Sequence, residues 1–230
     1  MHKVKESAMS RKFDRVGEAG LQFYGKVTAS MSHELKNVLA IIKENAGLLN
    51  DFTCMAEEGG MPVDLEMVKR VTEKIAKQTR RADGIVTRLN RFGHSIDESG
   101  KSVDLWDLLE FVVALSGRFA SMRGVTLERK PPASRVTVTT VPFFLQNLVW
   151  LCLDFAMGLA GTGKTVGLIV EETKNGARIK FTHLEDLAKV PPDTFPAQRA
   201  KVLLGALNSE LAVDVEAQEI VLTLPESIGW

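Results

Sequence analysis

The chain has 230 residues, 45% of them apolar, enough for one large packed domain or two small ones. Its 29 Lys and Arg balance 29 Asp and Glu, so no overall field draws it to nucleic acid or to a membrane surface, and any partner must be recognised locally. Cys54 and Cys152 lie far apart in no metal-like spacing, which argues against a disulfide framework or a zinc site and leaves both as small apolar residues.

The opening residues MHKVKESAMSRKFDRV are polar, with no apolar stretch behind the basic ones, so a tail over 1–15 is expected rather than a signal peptide. The longest apolar segment, FFLQNLVWLCLDFAMGLAG, is interrupted by Gln146, Asn147 and Asp154. It falls short of the roughly 18 uninterrupted apolar residues of a spanning helix, and a cytoplasmic location is expected.

From about Val16 to Asn50 there is no Pro. Met31, Leu35, Val38, Ile42, Leu49 and Phe52 step by fours and threes, with Asn45 in the remaining slot, which is a heptad seam on a long helix. Gly59, Gly60 and Pro62 then end one helix and start another. The seam returns as Val68, Val71, Ile75, Gln78, Ala82, Ile85, Leu89 and Phe92, so residues 16–99 read as an antiparallel hairpin. Two helices with one apolar stripe each, plus flankers such as Leu39, Ala46 and Val86, do not cover their own core. Pairing two hairpins into a four-helix bundle, hence a homodimer, is the expected solution; a monomeric hairpin packed on the rest of its own chain is the alternative.

After the turn-like SIDESGKS, short β-rich runs (GVTLERK, RVTVTT, KTVGLIVEE, ARIKFTH, LAVDVEA, EIVLTLP) alternate with helical runs (LWDLLEFVVALSGRFASM, PFFLQNLVWLCLDFAMGLA, FPAQRAKVLLGALN). Asn175-Gly176 predicts a hairpin between two of the strands. Residues 100–230 therefore read as a two-layer α/β domain, and the whole chain as α+β. Gly158 to Thr165 matches the phosphate-loop pattern GxxxxGK[ST], but a helix precedes it and a strand follows. That order is the reverse of what aims helix N-terminal amides at a phosphate, so it reads as a plain turn.

His33 is two residues from both Met31 and Leu35, about 200° around the helix from either, so it faces outward. A lone exposed His is usually solvated surface; its neighbours decide otherwise. Imidazole is a usable nucleophile near neutral pH. Glu34 beside it can orient the ring and accept its proton, and Asn37, one turn on, can hold a water or a phosphoryl oxygen. By contrast His94 and His183 lack clustered partners. Trp106, Trp150 and Trp230 have no basic stripe beside them and read as packing residues.

Ser32-His33-Glu34-Leu35-Lys36-Asn37, with Thr28-Ala29-Ser30-Met31 before it and Leu39-Ala40-Ile41-Ile42 after it, closely resembles the phosphoacceptor box of histidine kinases. The resemblance implies a dimeric hairpin with His33 phosphorylated on its distal ring nitrogen, Glu34 as general base and Asn37 assisting transfer or dephosphorylation. Val38 stands where many members have a helix-bending Pro. The resemblance continues over almost all of the remaining chain: KSVDLWDLLEFVVALSGRFASMRGVTLERK looks like the opening of the family's ATP-binding domain, and PFFLQNLVWLCLDFAMGLA like the helix carrying its nucleotide-box asparagines. At the matching positions stand Trp150 and Asp154. The Asp-x-Gly-x-Gly turn expected after ARIKFTH reads His183-Leu184-Glu185-Asp186-Leu187-Ala188, and no Gly-rich lid follows.

A well-formed His box beside missing nucleotide elements implies a histidine phosphotransferase of a phosphorelay, with no ATP bound and no permanent cofactor, Mg²⁺ being supplied by the partner. That partner is a response-regulator receiver domain, docking on the face below His33 formed by Lys36, Ala40, Lys43 and Glu44; neither nucleic acid nor membrane is an expected partner. A soluble histidine kinase with an atypical ATP site and a non-catalytic scaffold that docks a receiver are the alternatives.

Overall fold

Two long helices open the chain. In the computed structural model, which describes residues 2–228 apart from 60, 61, 63, 99, 192 and 193, and only the backbone over 2–15, α1 runs unbroken from His2 to Glu57 and α2 from Leu65 to His94. Residues 2–15, expected as a tail, are helical. Nothing in that stretch breaks a helix, because its Lys, Arg, Glu and Met are good helix formers and no Pro intervenes. Trp230 and Gly60 lie outside the described residues.

The chain divides into two compact units, one spanning Lys26–Gly93 and the other joining Met1–Gly25 to His94–Trp230. The hairpin unit therefore begins later than the expected residue 16. The reason is visible in the second unit, where Val16, Ala19 and Phe23 are buried. The Phe23 ring lies 5.7 Å from that of Phe143 and 5.5 Å from that of Trp150. Asn147 Nδ2 donates to the Ala19 carbonyl at 3.1 Å, and Gly20 leaves room for Phe143, whose ring would be 3.1 Å from a Cβ there.

In the hairpin unit the heptad seams are the buried lines. Met31, Val38 and Asn45 on α1 and Val71, Ile85 and Phe92 on α2 are buried, while Leu35, Ile42, Leu49, Phe52, Ile75, Ala82 and Leu89 are half-buried. Asp64 caps α2 by accepting from the amides of Glu66 and Met67, the usual role of a short carboxylate at a helix start. Counting outward from the turn in steps of seven pairs Phe52 with Val71, Asn45 with Gln78, Val38 with Ile85 and Met31 with Phe92.

The second unit contains β1 (Lys101–Asp104), α3 (Leu105–Arg123), β2 (Thr126–Lys130), β3 (Thr137–Thr140), α4 (Pro142–Gly158), β4 (Thr165–Thr173), β5 (Gly176–Thr182), α5 (Gln198–Ala206), β6 (Glu210–Asp214) and β7 (Glu219–Pro225). Five strands form a sheet in the order β2-β4-β5-β7-β6, antiparallel except for the β2–β4 pair. A hairpin joins β4 and β5 where Asn175-Gly176 predicts one, but Thr173 lies opposite Gly176, so Lys174 and Asn175 are the loop residues and Gly176 already opens β5.

Strand alternation sets the core. Val166, Leu168 and Val170 of β4, Ala177, Ile179 and Phe181 of β5, and Ile220, Leu222 and Leu224 of β7 are fully or almost fully buried on one face, the face that α3 and α4 cover. On the other face Lys180 pairs with Glu171 at 3.3 Å and Glu219 at 3.4 Å. This is the expected α+β architecture, a helical hairpin followed by a two-layer sandwich. One strand escaped the sequence reading: Lys101–Asp104, placed at the end of a turn-like segment, forms β1 and pairs with β3 as a separate two-stranded sheet. It is short and half-exposed, so it carries little alternation to read.

Candidate phosphoacceptor site on the helical hairpin

His33 is exposed, as are Asn37, Lys36, Ala40, Lys43 and Glu44, whereas Glu34 is half-buried. The heptad register explains the difference. Glu34 sits about 40° from the Val38 line, at the edge of the seam, and His33 about 140° from it on the same side. Asn37, four residues after His33, shares its face and leaves one turn of helix between imidazole and amide. Ala40 and Glu44 continue that line, while Lys36 and Lys43 lean to the opposite flank. The structure thus brings His33, Asn37, Ala40 and Glu44 together and sets the two lysines beside them rather than among them. α1 passes through Val38 without interruption, and Val38 is wholly buried.

In the second unit, the two positions matched to nucleotide-box asparagines are engaged in packing. Trp150 is 2% exposed, lodged between Phe23 and Phe119, the latter edge-on at 5.8 Å. Asp154 is held by Arg123, which donates to its carboxylate at 2.8 Å and to its backbone carbonyl at 2.9 Å. One residue on, Phe155 stacks face to face on Phe195, at 4.1 Å and 5°. Phe195 comes from the β5–α5 connection and is itself buried, so that connection lies directly on α4.

The turn after β5 keeps an unusual backbone without glycine. His183 and Asp186 both take left-handed conformations (φ 63° and 61°), which cost more for residues bearing a Cβ. Its Glu185 reaches the phosphate-loop-like segment, where the Thr162 amide donates to the carboxylate at 3.0 Å and the Thr162 hydroxyl lies at 3.4 Å. Gly161 has no Cβ because one would meet that carboxylate at 2.4 Å. The letters GxxxxGKT therefore build a helix-to-strand turn, as their order predicts, and one of its amides binds the protein's own carboxylate. An open trough of about 430 Å³ on the outer face of the sheet is lined by Glu128, Lys130, Gly167, Thr182 and His183, among others.

Arg123, Glu185 and Phe195 were not singled out in the sequence. No local signal marks them; each acts on a partner at least 23 residues away.

No groups of His, Cys, Asp or Glu able to hold a metal occur among the described residues. No helix among them is long and apolar enough to cross a membrane. Cys54 is exposed and Cys152 buried; burial pushes the Cys152 thiol far up, which keeps it an inert packing group.

No protein-family model matches the sequence, and no curated protein does. Among solved structures the chain is similar to the catalytic domain of the histidine kinase ThkA (7% identity, TM-score 0.47, 56% of this chain and 97% of that one). It is similar also to the Acinetobacter baumannii histidine kinase AdeS (12%, 0.46, 84% and 98%) and to a bacterial phosphotransferase (15%, 0.44, 88% and 95%). At these scores the likenesses bear on neither activity nor site residues.

Proposed function

We propose that the protein is a histidine phosphotransferase of a two-component phosphorelay, carrying a phosphoryl group on His33. The observation that carries this reading is the placement of an exposed imidazole on a rigid helix with Asn37 one turn below it and the Glu34 carboxylate adjoining. In the transfer, the distal imidazole nitrogen attacks the phosphorus of an aspartyl phosphate on a receiver domain. The P–N bond forms as the P–O bond to the aspartate breaks, the aspartate leaves as carboxylate, and Glu34 takes the imidazole proton. Transfer onward to a second receiver is the reverse. Mg²⁺ belongs to the receiver, and the docking face below His33 runs along Ala40 and Glu44 with Lys36 and Lys43 on its far edge.

The engagement of Trp150, Asp154 and Phe155 in packing supports a carrier that takes its phosphoryl group from another protein rather than from ATP. A location in the cytoplasm, where receivers act, accompanies this reading.

The protein acts as a homodimer in this proposal, and the hairpin has a face suited to it. Ser32, Leu39, Ala46 and Thr53 on α1, and Leu65, Thr72, Thr79 and Val86 on α2, form a second pair of heptad lines without a charge among them. Leu39 is 52% exposed and Leu65 78%. The hydroxyls of Thr53, Thr72 and Thr79 are bonded to their own helix carbonyls, at 2.9, 2.7 and 3.0 Å, which turns their methyls outward. Both lines deviate from their seams in the same rotational sense, and in an antiparallel pair that places them on one side of the hairpin. A second copy related by a two-fold axis covers that side.

The test is incubation with ³²P-labelled receiver, charged by acetyl phosphate, beside incubation with labelled ATP. Acid-labile label from the receiver alone, lost in His33→Ala, is the expected result. Label from ATP points to a kinase, and label from neither source to a docking scaffold.

A further inference from the structure

The cations of α2 are not spread evenly. Leu65–His94 holds eight Lys or Arg against three Asp or Glu, a local excess of five in a chain whose charges cancel overall. Arg70, Lys74, Lys77, Arg81 and Arg88 follow one another at helical spacings and form a single line. None of the five has an ion-pair or hydrogen-bond partner among the described residues. Four are exposed; the half-buried Arg88 folds back over Gly84, with its guanidinium 3.7 Å from where a Cβ would stand. Like charges at such spacings repel; Glu66 and Glu73 stand four residues before Arg70 and Lys77 and offset them in part, but neither closes an ion pair among the described residues.

The position of the line gives it meaning. It departs from the Val71–Ile85 seam in the sense opposite to Thr72, Thr79 and Val86. On α1 the residues displaced in that sense are His33, Asn37 and Glu44. Since equal senses share a side in an antiparallel pair, the cationic line runs along the same flank of the hairpin as the phosphoacceptor. Heptad pairing puts Arg88 near the level of Leu35 and Arg81 near that of Ile42. At 1.5 Å per residue the line from Arg70 to Arg88 is about 27 Å long, close to the width of a small domain.

We propose that Arg70, Lys74, Lys77, Arg81 and Arg88 form an electrostatic docking rail for the acidic face of the protein that donates phosphoryl to His33. A donor that holds Mg²⁺ and an acyl phosphate among carboxylates presents negative charge around its reactive centre. The rail attracts that surface and orients it along α2, so that the acyl phosphate arrives over His33. The proposal rests on the reading of His33 as a phosphoacceptor.

The experiment uses the full chain and purified receiver domains from its source, each charged with ³²P-acetyl phosphate. Binding is read by fluorescence anisotropy and transfer by acid-labile label. In Lys77→Glu/Arg81→Glu we expect association with the best donor to slow about tenfold or more at low salt, with a flatter salt dependence and an unchanged maximal rate at saturating donor. Lys69→Glu/Arg80→Glu changes net charge equally but lies off the rail, and the expected loss there is less than threefold. All four residues are exposed, circular dichroism checks the helices, and the salt series on the unmodified protein needs no variant.

Equal loss in both double variants, or wild-type association with no salt dependence, overturns the rail. Tighter, rail-dependent binding to a 20-base-pair DNA duplex or to vesicles with 30% phosphatidylserine also overturns it, in favour of a different partner. Rail-dependent receiver binding without label on His33 overturns the phosphotransfer reading and leaves the surface standing. Label on His33 that is indifferent to the rail does the opposite, and neither binding nor label overturns both.

Discussion

Arg123 holds Asp154 at two points, donating to its carboxylate and to its backbone carbonyl, and so joins the end of α3 to the C-terminal third of α4. The pair is 40% and 30% exposed, so its charges are partly screened and its value is mainly geometric. Arg123→Ala is expected to lower stability by about 1 kcal/mol, read as a fall in the urea midpoint at constant m. Asp154→Asn, which keeps one oxygen for the guanidinium, should lose less. Calorimetric titration with Mg²⁺ and ATP is expected to give no binding heat with the unmodified protein.

For Glu34→Gln, which keeps shape and loses the proton acceptor, we expect transfer from the receiver to slow about 10²- to 10⁴-fold. Its half-buried place at the edge of the seam tolerates an amide, so light scattering should show an unchanged oligomeric state. An unaltered rate would remove Glu34 from the mechanism.

Asn45 and Gln78 face each other in the heptad order of the hairpin. Asn45 donates to the Ile41 carbonyl at 2.7 Å, while the buried Gln78 Oε1 has no partner among the described residues. Asn45→Leu/Gln78→Leu should raise thermal stability by about 1–3 kcal/mol, because a polar layer becomes apolar. The same change is expected to broaden the oligomer distribution in light scattering, since buried polar groups specify register at a cost in stability. Val86→Glu, on the uncharged flank, should give monomers that remain helical.

Asp104 caps α3 through the amides of Trp106 and Asp107 and accepts from Arg135 at 2.7 Å. Burial pushes its carboxyl up, but the hydrogen bonds from Arg135 and the two amides outweigh it and hold the pKa below its ordinary value. A depressed acid stabilises the fold fully above its unfolded pKa of about 4 and loses that contribution as pH falls through the lower folded value. Denaturation followed between pH 6 and 2 should therefore show a steeper acid-side loss for the unmodified protein than for Asp104→Asn.

Much of this molecule was legible because its signals are local and periodic. The hairpin seams, the β4–β5 turn at Asn175-Gly176 and the outward placement of His33 each depend on residues within a few positions of one another. β1 was missed because four residues carry no readable alternation. The start of the hairpin unit has no local mark, because the helix continues unchanged from Val16 while its burial passes from one unit to the other at Gly25.

The sequence by itself determined the helical periods, the strand alternation and the His33 box, since each follows from spacing along the backbone. Only the tertiary structure decided that Arg123 holds Asp154, that Phe195 stacks on Phe155, and that Glu185 accepts from the Thr162 amide of a phosphate-loop look-alike. These contacts join residues distant in the chain, whose proximity depends on how the sheet and its helices pack. No local pattern encodes that.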